Sequence, residues 1–443
     1  MLFSQNSGKN QTMRRSSDAQ KVLVAIDIGS SMIRLIAGEV LDDGQVKVLF
    51  YRETKSSGIS NGAVSDLAAL SNRLSTLVQV FESEFGVNLS HCILGIAGRH
   101  IESKNASGAA TVQNKIVSLY DRDKAIENAR SIRLTDGHHI IHVIPQFYTV
   151  ENTSDITNPI GLSAMRLDVK VHIISCSRDQ ENNFRSAIAK ISPNVLIDHV
   201  VYNGIAASDA VLTEGEKEIG VGLIDFGGGT VNVTVYDRKR MVFSFGLERG
   251  GSEITRRIAT YFALPLSVAE QLKNEYGVAF PRMLSPEDKK RRFKITLNNS
   301  EEGEECIVSK LELADLIYQG LEDIFYSIRD RIESLSRKNG MVLSLGAGFV
   351  LTGGMAKTKG IEELAAYRLA PDSNSVVKVK IGKARGVTGF KEEPIGPDKS
   401  VCVGMLRFGK SVMNERNYET ERAEQSGVKS VFGKIKDWFS REL

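Results

Sequence analysis

Two short segments of this chain share one order of residue types: an apolar run, an aspartate, glycine, a hydroxyl residue and a second apolar run. The first reads A-I-D-I-G-S-S around Asp27, and the second reads L-I-D-F-G-G-G-T around Asp225. Apolar runs of this kind predict strands, and the glycines between them predict tight turns. The pattern therefore favours two α/β halves, each with a strand that ends in a carboxylate. The turn residues are Gly29, Ser30 and Ser31 in the first copy and Gly227, Gly228, Gly229 and Thr230 in the second.

Turns of this composition are suited to binding phosphate. Glycine has no Cβ, so its backbone amide can approach a phosphate oxygen, and successive amides form an anion-binding nest. A carboxylate beside phosphate is repelled unless a cation lies between them, so Asp27 and Asp225 are expected to act through Mg²⁺ and its water shell. Ser30, Ser31 and Thr230 can donate hydroxyl groups. Either copy alone is equally typical of a strand-ending turn, but two copies favour a clamp that holds a nucleotide from both sides.

Two other glycine pairs are candidates for the rest of a nucleotide. The segment V-L-T-G-G-M-A places Gly353, Gly354 and Met355 between an apolar strand and a helix, where the backbone could approach a nucleoside. Gly250 and Gly251 open a predicted helix whose N-terminus would attract phosphate, although a simple turn and cap explains them equally well. One match to the pattern G-x-x-x-x-G-K-[ST] occurs, at 404–411, but it follows none of the expected strands, so the chain is not expected to be a P-loop protein.

Glu270 and Lys273 are the charged candidates for contacting a nucleoside. They lie three residues apart on a predicted helix, from which they could grip ribose and base, or could form an ordinary ion pair with each other. His138 and His142 are not a metal pair, because on a strand they lie roughly 13 Å apart. The four cysteines stand alone, without metal-ligand spacing. There is no G-x-S-x-G motif and no Ser/His/Asp set that would indicate nucleophilic hydrolysis.

Net charge argues against nucleic acid as a partner. Lysine and arginine number 57 and aspartate and glutamate 54, a formal charge of +3, which does not suit a surface that neutralises a long run of phosphates. Residues 1–20 are polar and read as a disordered leader, and residues 409–427 are too polar to pack and read as a flexible linker. No apolar stretch is long enough to span a membrane.

The last residues, 428–443, predict an amphipathic helix. Its apolar stripe is flanked by basic residues and contains Trp438, the only tryptophan of the chain. Such a helix either docks on the protein's own surface or lies in a membrane interface, and the polar segment before it and the basic flank favour the membrane. The residues expected to contact an anionic membrane are Val431, Phe432, Lys434, Ile435, Lys436, Trp438, Phe439 and Arg441.

Alternating strands and helices occupy the rest of the chain. The expected strands are Val22 to Ile28, Ile33 to Val40, Val46 to Tyr51, Ile140 to Ile144, Leu167 to Ile174, Gly220 to Ile224 and Val231 to Tyr236. The expected helices are Ser65 to Phe85, Gln180 to Ile191 and Asn203 to Leu212.

With these motifs placed, the chain resembles the actin, heat-shock-chaperone and sugar-kinase superfamily, whose members hold Mg-ATP between two related α/β domains. Within it, the segments G-I-A-G-R-H-I, H-V-I-P-Q-F-Y, N-P-I-G-L, R-L-D-V-K-V-H and V-L-T-E-G-E-K-E-I-G-V resemble the FtsA family of bacterial cell-division actins. The resemblance runs from about Val22 to Phe408 and returns in the terminal helix. It implies an actin-like two-domain ATPase fold with an inserted small α+β subdomain and a C-terminal amphipathic helix on a flexible linker.

The resemblance also implies how the subdomains divide the chain. The first ATPase subdomain would comprise 21–102 and 178–208, completed by 400–408, and the second would comprise 209–250 and 338–399. The inserted subdomain would be 103–177, and an outer subdomain of the second half would be 251–337.

As a member of this family, the chain would be an ATP-binding cytoskeletal protein and at most a slow ATPase. It would polymerise on the cytoplasmic face of the inner membrane at the septum, anchor FtsZ filaments of the Z ring there and recruit later divisome proteins. Its expected partners are the FtsZ C-terminal peptide, further copies of itself, divisome membrane proteins and the anionic membrane. The alternatives are an adaptor like the pilus-assembly ATPases and a small-molecule kinase.

The sequence departs from the family at one place that bears on chemistry. The family usually opens the helix after the connecting segment with a carboxylate and a proline, whereas this chain has Asn203 and Gly204. An asparagine can orient the attacking water but cannot accept its proton. Asn203 and Asp225 are therefore the residues expected at the reacting phosphate, and hydrolysis is expected to be slow or undetectable.

Overall fold

A computed structural model describes residues 22–192, 194–296, 305–370, 372, 375–390 and 395–426. The strands are β1 Val22–Ile28, β2 Met32–Val40, β3 Val46–Lys55, β4 Ile59–Ser60, β5 Ala63–Val64, β6 His91–Ile96, β7 Ile101–Thr111, β8 His138–Val150, β9 Thr153–Ile156, β10 Arg166–Ser177, β11 Leu196–Tyr202, β12 Val221–Phe226, β13 Val231–Asp237, β14 Arg240–Leu247, β15 Arg292–Thr296, β16 Glu305–Ser309, β17 Phe349–Thr352, β18 Val379–Ile381 and β19 Val387–Thr388. The helices are α1 Leu67–Phe85, α2 Leu119–Arg130, α3 Arg178–Ala189, α4 Asn203–Val211, α5 Glu214–Ile219, α6 Gly251–Phe262, α7 Leu266–Tyr276, α8 Pro286–Lys290, α9 Lys310–Lys338, α10 Ile361–Arg368 and α11 Ser400–Ser426. Short 3₁₀ helices cover Pro281–Met283, Gly354–Lys357 and Pro397–Lys399.

Local sequence accounts for the strands and helices predicted between Val22 and Tyr236, which the structure confirms. The strand predicted at Ile140 to Ile144 is longer than expected and continues to Val150 as β8. Helix α1 shows how local sequence sets an element. The Asp66 side chain accepts hydrogen bonds from the amides of Ala68 and Ala69, and Gly86 ends the helix in the left-handed region at φ 68°. Between these caps, one face buries apolar residues against the first sheet.

Two sheets repeat one topology, as the two copies of the aspartate motif predict. The first sheet has the order β11-β6-β1-β2-β3-β19 and the second has the order β14-β13-β12-β17-β18. In each, the strand that carries the aspartate is central: β1 and β12 pair antiparallel with the next strand and parallel with β6 and β17. Each half therefore places its aspartate at the carboxyl end of a buried central strand, next to a hairpin turn.

A smaller four-stranded antiparallel sheet interrupts the first half. Its order is β7-β10-β8-β9, and helix α2 packs on it over a separate apolar core. Helix α2 begins with a capping box, in which Ser118 and Asp121 satisfy each other's backbone amides. This is the inserted α+β subdomain that the resemblance implies.

The C-terminal segment differs from its prediction. Residues 409–427 are predicted to be a flexible linker, but helix α11 continues through this segment to Ser426. Its composition explains the difference, because glutamate, arginine, alanine and glutamine are good helix formers even where no apolar face requires a helix. The predicted leader at 1–20 and the predicted membrane helix at 428–443 lie outside the described residues.

Candidate functional site

The two aspartate turns have the same geometry. Asp27 and Asp225 are each the last residue but one of their strands, β1 and β12, and their exposed fractions are only 4% and 5%. In the first turn the Gly29 amide donates to the Met32 carbonyl at 3.0 Å. In the second the Gly227 amide donates to the Thr230 carbonyl at 2.9 Å. Each hairpin thus closes in the same way and leaves its central residues at the edge of its sheet.

These turns face each other across the boundary between the two halves. A Cβ placed on Gly228 would lie 1.8 Å from the Ser31 hydroxyl oxygen, and one placed on Gly229 would lie 2.6 Å from that of Ser30. The Ser30 hydroxyl also accepts a hydrogen bond from the Gly62 amide at 2.9 Å. The structure therefore brings the two predicted turns together. They lie so close that phosphates between them would require the turns to separate.

Asp27 is held by partners on both of its oxygens. The Asn203 amide donates to Oδ1 at 3.0 Å from the first residue of α4, and Arg34 Nη1 lies 3.4 Å from Oδ2. Burial raises the pKa of Asp27, and the Arg34 charge and the Asn203 hydrogen bond offset this only in part. The same carboxylate raises the pKa of Arg34 despite the burial of the guanidinium. Asp27 is thus already partly neutralised by a cation of the chain itself.

Asp225 has a different environment. The Asn232 amide donates to its Oδ2 at 3.1 Å. Burial raises the pKa of Asp225 to about 7; the hydrogen bond from Asn232 lowers it, and the negative charge of Asp27 raises it further. Gly353 approaches closely: with φ at 86°, a Cβ there would lie 2.8 Å from Asp225 Oδ1. A cation brought to this carboxylate would relieve the cost of its burial.

The residues at the two turns fit a hydrated magnesium ion. Two buried acceptors, Asn203 Oδ1 and Asn232 Oδ1, have no hydrogen-bond donor among the described residues. Each belongs to an amide whose nitrogen already binds one of the aspartates. Water molecules on a magnesium ion are donors, and carboxylates are the protein ligands that magnesium prefers. These residues therefore suit a magnesium ion that they contact through its water molecules, rather than one that they bind as direct ligands.

The predicted nucleoside residues come together beside the second turn. A Cβ on Gly251 would lie 2.8 Å from Met355 Sδ and 3.2 Å from Lys273 Nζ. Lys273 is buried, and its Nζ contacts Glu270 Oε2 at 2.6 Å and Thr255 Oγ1 at 2.8 Å. Glu270 also accepts a hydrogen bond from Thr255. Glu270 and Lys273 therefore form the ion pair that their spacing allowed, which also fastens α7 to α6.

The backbone amides at the start of α6, next to Gly250, already have hydrogen-bond acceptors within the protein. The amide of Gly251 donates to the carbonyl of Gly227 at 3.1 Å, and the amide of Ser252 donates to that of Gly228 at 2.7 Å. The N-terminus of α6 thus supports the second turn from behind. The V-L-T-G-G-M-A segment leads from β17 into the 3₁₀ turn Gly354–Lys357 rather than directly into a helix.

Comparisons with known proteins agree with this architecture. A family model described as the SHS2 domain inserted in FtsA matches residues 98–175, and one described as cell division protein FtsA matches residues 222–404. Cell division protein FtsA of Escherichia coli K12 is 28% identical over 427 residues, which cover 96% of this chain and 99% of that protein. FtsA of Pseudomonas aeruginosa is 26% identical, over 89% and 90% of the two chains. This chain belongs to the FtsA family.

Solved structures confirm the fold of this FtsA-family chain as actin-like. The PilM–PilN type IV pilus biogenesis complex contains a chain that matches with a TM-score of 0.59 and 17% identity, over 88% of this chain and 98% of that one. MreB5 of Spiroplasma citri bound to ADP matches with a TM-score of 0.50 and 12% identity, over 90% and 98%. At these identities the likeness concerns the fold alone.

Sequence reasoning missed three residues of the site in this FtsA-family chain. Arg34 and Asn232 each lie seven residues after an aspartate and pair with it across a hairpin. That repeated spacing was readable in the sequence. Asp398, which lies 3.9 Å from Arg34 Nη2, carries no such signal because it approaches from a distant segment.

The remaining candidates stand outside the site. His138 and His142 lie on β8 as predicted, and His142 Nε2 accepts the amide hydrogen of Tyr202 at 3.0 Å. Within the described ranges, no cluster of three or more His, Cys, Asp or Glu side chains is arranged to hold a metal ion. Among the described residues, no helix combines the length and the apolarity that a bilayer span requires. All predicted membrane-contacting residues, from Val431 to Arg441, lie outside the described residues.

Proposed function

We propose that this FtsA-family protein binds Mg-ATP between its two halves and uses it to control assembly at the division site. The observation that carries the proposal is the pair of buried aspartate turns, Asp27–Ser31 and Asp225–Thr230, which face each other from two sheets of the same topology. Backbone amides of both turns would bind the phosphates, with hydroxyl groups from Ser30, Ser31 and Thr230. Asp27 and Asp225 would hold magnesium through its water shell, which neutralises the phosphates when the ion is bound.

The nucleoside would lie against the second half. Gly353, Gly354 and Met355 would support it from one side and Glu270 and Lys273 from the other, with Gly250 and Gly251 between them. Because the two turns touch in the structure, entry of a triphosphate would have to separate them. Binding would thereby change the angle between the halves, which is the means by which ATP would favour a polymerising conformation.

Assembly would take place on a membrane. The terminal stripe, with Trp438 and its basic flank, would lie in the headgroup region of the cytoplasmic face of the inner membrane at the septum. One helix of this length holds weakly, whereas a polymer presents many helices and gains avidity. The exposed apolar residues of the inserted subdomain, Ile116, Tyr120, Leu162 and Met165, favour a role of that subdomain in contacts with other proteins.

The partners that the family supports are FtsZ and later divisome proteins. The outer subdomain at 251–337 would bind the FtsZ C-terminal peptide and so anchor the Z ring, and the inserted subdomain would serve neighbouring copies and later membrane proteins of the cell-division machinery. The alternatives are a pilus-type adaptor and a small-molecule kinase. The first would bind neither vesicles nor the FtsZ peptide, and the second would transfer phosphate from ATP to a sugar or polyol.

Trp438 fluorescence tests the membrane part of this proposal. The full-length chain is titrated with vesicles of phosphatidylglycerol and phosphatidylethanolamine, with and without Mg-ATP, and a single tryptophan makes the signal unambiguous. We expect a blue shift of the emission that occurs at lower lipid concentration when Mg-ATP is present.

The matched variant is Trp438→Glu, followed by vesicle co-sedimentation because it lacks the fluorophore. It should lose vesicle binding while its ATP affinity stays unchanged. Loss of both activities, or wild-type emission that is blue from the start and unaffected by vesicles, would show instead that the terminal helix docks on the protein body.

A further inference from the structure

Asp398 is a buried carboxylate that sits among three cations. It lies in the 3₁₀ turn Pro397–Lys399 that precedes α11, and its side chain is only 9% exposed. Lys357 Nζ lies 2.7 Å from Oδ1, Lys399 Nζ lies 3.6 Å from Oδ2, and Arg34 Nη2 lies 3.9 Å from Oδ2. A buried carboxylate of this kind is tolerated only where cations compensate it, so its position is well determined by these neighbours.

The cations come from both halves of the molecule. Arg34 belongs to β2 of the first half, where its Nη1 contacts Asp27. Lys357 ends the 3₁₀ turn Gly354–Lys357 of the second half, directly after the glycines and methionine at the nucleoside side. Asp398 therefore completes a continuous line of alternating charges that runs from Asp27 through Arg34 to Lys357.

Hydrogen bonds fasten the turn that carries Asp398 to the second half. The Pro397 carbonyl accepts from the Gly353 amide at 3.0 Å and from Thr352 Oγ1 at 2.8 Å. Thr352 Oγ1 also lies 2.6 Å from the Ser400 hydroxyl oxygen at the start of α11. The Asp398 backbone is thus tied to the end of β17, and its side chain reaches the first half.

Space for the carboxylate depends on a glycine. A Cβ on Gly396 would lie 2.6 Å from Asp398 Oδ1, although Gly396 has an ordinary φ of −62°. The glycine is needed here for room rather than for backbone freedom. Burial raises the pKa of Asp398, but Lys357, Lys399 and Arg34 together hold the pKa below its ordinary value, so the carboxylate is charged.

We propose that Asp398 is a positioning residue that couples the phosphate side of the candidate nucleotide site to its nucleoside side. It fixes Arg34 against Asp27 in the first half and Lys357 beside the Gly353–Met355 segment in the second. Disturbing one end of this line therefore changes the other end. The coupling concerns the site described under the proposed function and rests on it for its role in ATP binding, but the line of charges itself is a property of the ligand-free chain.

Hydrogen exchange in the ligand-free, full-length chain tests the coupling directly. Lys357→Met removes the cation nearest to Asp398, Asp398→Asn removes the shared carboxylate, and the double variant removes both. We expect Lys357→Met to accelerate amide exchange in the first-half turn around Gly29, to about the extent that Asp398→Asn does, with no further increase in the double variant. The control is Asp168→Asn, which breaks an exposed ion pair with Arg166 elsewhere.

ATP affinity gives the second readout. Lys357→Met and Asp398→Asn should each weaken binding of a fluorescent ATP analogue about 5- to 20-fold, again without additivity, while the Asp168→Asn control binds normally. If Asp398→Asn does not fold, Gly396→Ala replaces it, because the added methyl group displaces the carboxylate.

Two results would overturn the coupling. One is that Lys357→Met accelerates amide exchange in the second half only. The other is that the effects of the two single variants add up in the double variant. Failure of the wild-type chain to bind ATP would refute the proposed function instead, and the exchange pattern would still decide on the coupling.

Discussion

At the residue scale, the two halves use related aspartates in unequal ways. Asp27 is paired with Arg34, a full charge, whereas Asp225 is paired with the neutral amide of Asn232. The second carboxylate therefore lacks a direct cationic partner in its own hairpin and has its pKa raised to about 7, mainly by burial. A magnesium ion would therefore stabilise the Asp225 carboxylate more than that of Asp27, which Arg34 already compensates in part.

Asn203 supports the prediction that hydrolysis is slow. Its amide donates to Asp27, so the side chain points to the carboxylates at the candidate phosphate position but cannot take a proton from water. Asn203→Glu should increase phosphate release at least about 10-fold, since a positioned general base contributes roughly 10²- to 10⁴-fold. Asn203→Gln, which keeps the amide, should leave the rate unchanged. Equal rates in wild type and Asn203→Glu, at saturating ATP, would refute the role of this position.

Gly228 is the residue where the contact between the turns is tightest. A methyl group there would collide with Ser31 and push the turns apart. Gly228→Ala should lower the free energy of unfolding of the ligand-free chain by about 1–3 kcal/mol, as overpacking does. It should also weaken ATP binding at least about 10-fold, because the methyl group occupies space next to the amides.

The matched control is Gly215→Ala in α5, where a Cβ meets no atom within 4 Å. It should not lower the stability to urea, because alanine is a better helix former than glycine, and it should leave ATP titration unchanged. A Gly228→Ala variant that behaves like this control would show that the turns do not approach each other as described.

At the scale of elements, the inserted subdomain is joined to the second half through the edge strand β14. Side chains of the insert bind its carbonyls: Asn105 Nδ2 to Val242 at 3.1 Å and Gln146 Nε2 to Met241 at 2.7 Å. His172 of β10 lies in the same contact, between Asn105 Oδ1 and the Ser244 hydroxyl. These side chains satisfy a strand edge that would otherwise be open.

Acid should weaken this contact. Burial lowers the pKa of His172 to about 4, below its ordinary value of 6.5, so the folded protein holds the neutral imidazole. Its contribution to stability is complete above pH 6.5 and is lost as the pH falls from 6.5 towards 4, by at most about 1.4 kcal/mol per pH unit. The pH dependence of urea unfolding between pH 6.5 and 4.5 should therefore be smaller in His172→Gln than in wild type, by close to one proton.

Ser244→Ala is the control for that prediction, because it removes the hydroxyl partner of His172 and leaves the titrating group in place. It should lower stability at every pH and keep the wild-type slope. If His172→Gln and wild type give parallel curves, His172 does not titrate with unfolding.

Elements were predictable where their cause is local. Apolar runs set β1 and β12, and the caps at Asp66 and Gly86 set the ends of α1. The contacts of β14 with Asn105 and Gln146 were not predictable, because they join residues more than 90 positions apart. The helical course of α11 to Ser426 was missed because the apolar pattern was given more weight than helix propensity.

At the scale of the whole molecule, the repeated sheet topology brings the two aspartate turns together. Two central strands deliver two aspartate turns to one boundary, and the contacts of Asp398 and Pro397 join the halves behind it. Duplication of the motif in the sequence predicted this arrangement, whereas the direct contact of the turns required the structure. Opening of that boundary by ATP would connect nucleotide binding to polymerisation and hence to the avidity of the membrane helices.

Calorimetric titration of the full-length chain with Mg-ATP tests the central claim, that the two aspartate turns form one nucleotide site. We predict one site per chain in wild type and an affinity at least about 10-fold lower in Asp225→Asn, which has nearly the same shape but no charge to hold magnesium. A wild-type chain that binds no Mg-ATP, or an Asp225→Asn variant that binds it as tightly as wild type, would contradict the account.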